Sequence, residues 1–238
     1  MQTSRRRTIR WEVSGLPLLL WLIGPALAAD AKLSYPTMAP IEQYRVASAA
    51  EEIALARSAA PASIAGAAEV LTLGDHGYET AVKGKNGFVC MVWRSWTAGF
   101  DDAEFWNPRL RAPICLNPAA AHSVLPGYLD RTRWAIAGVS KSHMIERTRA
   151  AVAANRITAP EPGAMSFMMS KQGYLGDDVG HWHPHLMFFL AHTDSAFWGA
   201  DLDGSPVFAA QSNPEPITTF IVPVPKWSDG TPAVMETH

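Results

Sequence analysis

Alternating and continuous apolar runs along the chain predict two groups of strands separated by helices. Seven short β-rich runs are bounded by turn residues: 68–73, 78–83, 88–96, 164–170, 185–192, 205–211 and 217–224. The pair Asn86-Gly87 between the second and third runs is typical of a tight hairpin turn. We therefore expect the first three runs to form an antiparallel three-stranded meander. The other four runs form a second, C-terminal group of strands.

Helical spacing and cap residues mark the helices that lie between these groups. Ser48 and Glu51 have capping-box spacing ahead of a run rich in strong helix formers. Asn117 stands before Pro118, and Ser140 stands before a stripe of apolar residues at helical spacing. Strands, then helices, then strands again, without a regular βαβ alternation, predict an α+β fold with a mainly antiparallel sheet.

Between the strand groups, two stretches have weaker signals. Residues 97–116 have no clear period and are expected to form a long loop. The Pro126-Gly127 pair is expected to end the helix capped by Asn117, with a second helical piece running from Tyr128 toward Gly138.

The N-terminus has the layout of an export signal and not of a folded segment. Residues 1–28 combine an arginine-rich start, a short apolar core and a small-x-small end, which predicts a signal peptide. We expect an extended leader at 29–47 and a single α+β domain at 48–238. The protein is then exported, periplasmic or secreted, with no membrane span after signal removal. Both the general and the twin-arginine export routes fit this start.

The charge balance argues against nucleic acid as a partner. The whole chain has 20 basic and 22 acidic residues. Losing Arg5, Arg6, Arg7, Arg10 and Glu12 with the signal leaves 16 and 21, a formal charge of −5. Phosphate backbones require a cationic surface, which this composition does not supply. The sequence identifies no protein partner.

Cys90 and Cys115 are the two cysteines of the chain. In an exported protein the simplest interpretation is one disulfide that closes a loop of about 26 residues. The alternative is that Cys90 is a nucleophile with a histidine partner, but a free thiol is exposed to oxidation in such a compartment. We predict the disulfide.

A histidine cluster carries the chemistry that the sequence suggests. Four of the eight histidines lie within twelve residues, and three of them alternate: His181, His183 and His185. On an extended strand, alternate side chains share a face at roughly 6.5 Å. Two such imidazoles can share one ion, whereas three on a straight strand cannot. Four nearby side chains are therefore candidates for additional ligands: Asp177, Asp178, His192 and Asp194.

Zinc is the favoured metal for such a site, because histidines with an open water position suit it. Copper is an alternative, since methionines surround the cluster and thioether sulfur suits Cu(I). These are Met165, Met168, Met169 and Met187. Iron, bound by two histidines and Asp177 or Asp178, is a third option.

Three hypotheses about function follow. The first is an exported protein that binds a divalent metal or a small ligand through the cluster. The second is a metal-dependent hydrolase, in which a metal-bound water attacks and Asp178 acts as the base. The third is a structural or interaction protein whose histidines only hydrogen-bond a loop. The sequence contains no H-E-x-x-H, C-x-x-C-H or G-x-S-x-G motif that would identify a reaction.

Overall fold

The computed structural model describes residues 35–234. The predicted signal peptide at 1–28 and the start of the predicted leader lie outside these residues. Within 35–234, no helix is both long enough and apolar enough to cross a lipid bilayer.

All the named strands belong to one eight-stranded sheet. They are β1 (Glu69–Leu73), β2 (Tyr78–Val82), β3 (Val89–Trp93), β4 (Ala112–Leu116), β5 (Met165–Met168), β6 (His185–Ala191), β7 (Phe208–Ser212) and β8 (Ile217–Pro223). Their order across the sheet is β2-β1-β3-β4-β5-β6-β8-β7. Every neighbouring pair is antiparallel except β1 with β3. The α+β class with a mainly antiparallel sheet is therefore confirmed.

Five α-helices accompany the sheet within residues 35–234, and the cap residues explain where three of them begin. They are α1 (Ala49–Arg57), α2 (Ala62–Ala65), α3 (Pro118–Ser123), α4 (Leu125–Ile136) and α5 (Lys141–Ala153). The side chains of Ser48, Asn117 and Ser140 each accept a backbone N–H of the first turn, as predicted. The predicted break at Pro126-Gly127 is wrong. The two helices meet at Val124, and Pro126 lies in the first turn of α4, where its missing N–H costs no hydrogen bond.

The first three strands form, but they are not a meander. Strand β3 pairs with β1 in parallel and does not pair with β2. The reason lies in burial: β3 is buried over most of its length and lies between β1 and β4, whereas β2 is a largely exposed edge strand. Asn86 does not make a hairpin turn, because its Nδ2 donates to the Ile64 carbonyl and its Oδ1 accepts the Phe88 N–H. The first of these bonds ties the connection to α2.

Strand β4 lies where the sequence predicts a loop, within 97–116. Its five residues are all buried, so it has no alternation of apolar and polar positions. It pairs with β3 so that Cys90 lies directly opposite Cys115, and the predicted disulfide joins them with a Cα–Cα distance of 4.0 Å. The bridge therefore ties two neighbouring strands in the middle of the sheet.

Helices cover both faces of the central strands. Helix α1 packs on the face that carries Val70, Cys90, Val92 and Cys115. Helices α3 and α4 pack on the opposite face, whose buried cluster includes Met91, Ile114, Leu116, Met168, Met187 and Phe189. This second cluster extends across β5 to β6, where the predicted histidine site begins.

The folded unit includes residues that precede Ser48. Tyr44, in a 3-10 helix at Ile41–Tyr44, is fully buried against Trp96. Its hydroxyl donates to the Trp106 carbonyl at 2.8 Å, and its own carbonyl accepts from Arg94 Nε at 2.6 Å. Part of the segment predicted as an extended leader is thus packed into the core.

Candidate metal site

Strand pairing brings a methionine next to the histidine cluster. His185 is the first residue of β6, and its partner across the ladder is Met168, the last residue of β5. Directly opposed residues of an antiparallel pair share a face, with Cβ atoms about 5 Å apart. The thioether of Met168 and the imidazole of His185 therefore lie side by side.

His185 has the environment of a neutral imidazole. It is 3% exposed, and this burial lowers the pKa of His185 to about 4 from its ordinary 6.5. Its Nδ1–H donates to the carbonyl oxygen of His183 at 2.8 Å. With the proton held at Nδ1, the lone pair of Nε2 is free. Histidines that bind metals commonly carry such a second hydrogen bond to a carbonyl or carboxylate, which fixes the tautomer and the ring orientation.

Both His183 and His185 line one small pocket with a volume of about 10 Å³. Its other lining residues are Pro113, Met168, Ser170, Gly173, Leu175 and Trp182. A space of this size holds about one water-sized sphere. The Trp182 ring forms a wall 4.7 Å from the His185 ring. Neither Nε2 of His185 nor the His183 ring hydrogen-bonds to any residue of 35–234.

His181, His183 and His185 do not share one pocket. His181 is exposed and does not line this pocket. Its Nδ1 donates to the Gly173 carbonyl, and its ring meets the edge of Tyr174 at 5.9 Å. In the described part of the chain, no group of three or more His, Cys, Asp or Glu side chains is placed to hold a metal ion.

The two aspartates of the preceding loop have other contacts. Asp177 accepts hydrogen bonds from Tyr174, Tyr35, Asn107 and Arg109. These donors, Tyr174 first, lower the pKa of Asp177 to about 2. The backbone N–H of Asp178 donates to Glu104 at 3.2 Å. Neither aspartate lines the pocket of His183 and His185.

The two candidate ligands that follow β6 also lie apart from the pocket. His192 is exposed, and its Nε2 donates to the Ser212 carbonyl at 3.0 Å. Asp194 accepts the Ala196 N–H at 3.0 Å, next to the 3-10 helix Ala196–Trp198.

The sequence names Met168 as one of four methionines near the cluster, but it does not single Met168 out as the one beside the histidines. Its position within the apolar run 164–170 by itself predicts a core residue. The signal that identifies it is the register between β5 and β6, which joins positions 17 residues apart.

The pocket thus brings the imidazoles of His183 and His185 and the thioether of Met168 around a space for a single ion. The chain matches no protein-family model, and no curated protein or solved structure is similar to it.

Proposed function

We propose that this is an exported protein that binds copper as Cu(I), with Met168, His183 and His185 as its ligands. The observation that carries the proposal is the direct pairing of Met168 with His185, next to His183, around one ion-sized pocket.

The donor set favours a soft ion. Thioether and imidazole ligands together suit Cu(I), which accepts low coordination and soft sulfur. Zinc sites are usually completed by thiolate or carboxylate, or by a third histidine. The carboxylates considered above, Asp177 and Asp178, point to other partners or lie outside the pocket. Copper therefore replaces zinc as the preferred metal.

Binding fits this pocket better than hydrolysis does. A metal hydrolase needs a bound water, an acidic base beside it and room for the substrate. The pocket has space for about one ion, and its lining contains no carboxylate. Asp178, the base in the hydrolase hypothesis, is not among its walls.

The test is a Cu(I) titration against a colorimetric Cu(I) chelator under anaerobic conditions. Wild type is expected to bind one equivalent, and Met168→Leu is expected to bind at least about tenfold more weakly because the thioether is lost. Exchange of methionine for leucine conserves volume, so the core tolerates it. His183→Ala and His185→Gln should each weaken binding by a similar factor.

Met187→Leu is the matched control. Met187 lies on the same face of β6 and is buried in the same cluster, but it does not line the pocket. The Met187→Leu protein should bind Cu(I) with the same affinity as wild type. Equal Cu(I) affinity of Met168→Leu and wild type would contradict the proposed ligand set. Tighter binding of Zn²⁺ than of Cu(I), lost in His183→Ala, would restore the zinc hypothesis.

A further inference from the structure

A second cavity, with a volume of about 370 Å³, lies beside the start of α5. Three segments line it: residues 35–38, the loop that carries Ala103 and Trp106, and residues 138–142, which join α4 to α5. It shares no lining residue with the pocket of Met168 and His185. What it binds is therefore independent of the copper proposal.

The described lining of this cavity carries one formal charge, and that charge is positive. Lys141 is half-buried and makes no ion pair within residues 35–234. Its Nζ lies 5.2 Å from the centre of the Phe105 ring, next to Trp106 in the chain. No Asp or Glu of the described residues is part of the lining. A charge that is partly shielded from water attracts an opposite charge more strongly than an exposed one does, so the cavity favours an anion.

Three carboxylates near the lining have other partners. Asp102 Oδ1 accepts the Glu104 N–H at 2.7 Å, and the Glu104 carboxylate accepts the Asp177 N–H at 2.6 Å. Asp177 itself accepts from the Tyr35 hydroxyl at 2.6 Å and pairs with Arg109. None of the three pairs with the ammonium group of the cavity, which is therefore open to a ligand.

An indole N–H that lacks a partner also reaches this cavity. Trp106 is 6% exposed, and its Nε1 donates to no residue of 35–234, whereas Trp96 Nε1 donates to Thr132 at 3.0 Å. Trp93 Nε1 is sealed from solvent, but Trp106 Nε1 is not. Because the accessible part of Trp106 lines this cavity, its N–H faces the cavity. Buried indole N–H groups usually have an acceptor, so this one is available to a ligand.

The start of α5 supplies further donors. The first N–H groups of a helix have no partner within the helix. Ser140 Oγ accepts the His143 N–H at 3.3 Å, but the N–H groups of Lys141 and Ser142 make no hydrogen bond within 35–234. The ammonium, the indole N–H and these backbone groups all donate. Together they select a group that only accepts, such as a carboxylate.

The remaining walls suit an apolar body behind that carboxylate. They include Pro36, Met38, Ala103 and Val139, together with the ring of Trp106. The volume of about 370 Å³ is more than twice that of the roughly 150 Å³ engineered cavity that admits benzene. A six-membered ring therefore fits, with room for a short chain that carries the acid group.

We propose that this cavity binds a small monocarboxylate with an apolar body, such as an arylalkanoic acid. The carboxylate meets Lys141 and the Trp106 N–H, and the body lies against the apolar walls. One negative charge on the ligand matches the one ammonium of the lining. An inorganic anion has no apolar body to cover these walls.

The experiment is isothermal titration calorimetry of the full chain with phenylacetate, hydrocinnamate and hexanoate. Phenethylamine is the cationic counterpart of hydrocinnamate, hydrocinnamamide is the neutral one, and inorganic phosphate is the bare anion. At least one carboxylate is expected to bind, at least about tenfold more tightly than each of these controls, because charge-assisted hydrogen bonds are the stronger ones. Failure of all three carboxylates would overturn the proposal, as would equal or tighter binding of the amine, the amide or phosphate.

Lys141→Met tests the charge and keeps an unbranched side chain at the position. It is expected to weaken carboxylate binding at least about tenfold. Lys83→Met is the matched control, because it removes the same charge from an exposed lysine outside the lining, and it should keep the wild-type affinity. Unchanged affinity in Lys141→Met, or equal losses in the two variants, would show that the carboxylate does not bind at this cavity.

Trp106→Phe tests the indole N–H and keeps an aromatic ring in the core. Carboxylate affinity is expected to fall by about threefold or more, since one hydrogen bond to a charged group is lost. Circular dichroism checks that the variant is folded. Unchanged affinity in a folded Trp106→Phe protein would also overturn the proposal. If that variant does not fold, the two lysine variants decide.

Discussion

His185 couples the stability of the fold to pH. Its pKa is about 4 in the folded protein and 6.5 when exposed, so between these values the unfolded chain binds more protons. The contribution is fully present above pH 6.5 and is lost as the pH falls toward 4. This single group is expected to lower the free energy of unfolding by about 2 kcal/mol between pH 7 and pH 5. Urea unfolding at the two pH values measures it.

The control for this pH dependence is His185→Gln, which cannot titrate. Other ionisable groups change the stability of both proteins alike, so the difference between the two slopes isolates the imidazole. A His185→Gln protein with the same pH dependence as wild type would show that His185 is not held neutral by burial.

At the scale of single residues, sequence spacing identifies only part of the candidate site. Alternation predicts that neighbouring histidines share a face, and His183 and His185 do line one pocket. The same rule assumes that the strand extends back to His181, but β6 begins at His185. Gly180 has a φ of +56°, in the left-handed region, so the chain turns there and His181 contacts Gly173.

Between elements, Asn117 joins the start of α3 to the start of β5. Its Oδ1 accepts the Ala120 N–H at 2.9 Å and the Met165 N–H at 3.1 Å, and its Nδ2 donates to the Gly163 carbonyl at 2.8 Å. Asn117→Ala removes all three bonds and is expected to lower the free energy of unfolding by about 2 kcal/mol. Chemical denaturation measures this loss.

Asn117→Asp provides the comparison, because it keeps the two accepted bonds and loses only the donated one. Its loss should be clearly smaller than that of Asn117→Ala. Equal losses in the two variants would mean that the accepted bonds contribute nothing measurable.

Elements set by local signals are predicted well, whereas their partners are not. The caps at Ser48, Asn117 and Ser140 act within one helical turn, so the sequence alone locates them. The parallel pairing of β1 with β3 depends on which strand is buried, and no local pattern records it. The pairing of Met168 with His185 is non-local in the same way, so sequence spacing alone does not place these two side chains together.

For the whole molecule, Tyr44 is the fully buried residue through which the segment before Ser48 packs into the core. It packs on Trp96, bonds to Trp106 and accepts from Arg94, which itself pairs with Glu52 of α1. Tyr44→Ala leaves a large cavity and is expected to cost about 3–5 kcal/mol of unfolding free energy. Urea unfolding followed by tryptophan fluorescence measures it.

Tyr44→Phe separates packing from hydrogen bonding, because it keeps the ring and removes only the hydroxyl. Tyr44→Phe is expected to lower the free energy of unfolding by about 1 kcal/mol. Because this is less than the loss in Tyr44→Ala, the buried ring would account for most of the stabilisation by Tyr44. A Tyr44→Ala protein as stable as wild type would mean that the burial of Tyr44 does not contribute to the stability of the folded unit.

The position of the disulfide determines when it can form and how long it lasts. Cys90 and Cys115 are both fully buried beneath α1, and Cys115 Sγ lies 3.8 Å from the Ala56 carbonyl oxygen. Thiol–disulfide exchange needs an attacking thiolate to reach a sulfur atom. Oxidation must therefore precede the docking of α1. Once α1 has docked, a reductant can reach the sulfur atoms only when the protein opens, so the lifetime of the bond in a reducing solution depends on how often that opening occurs.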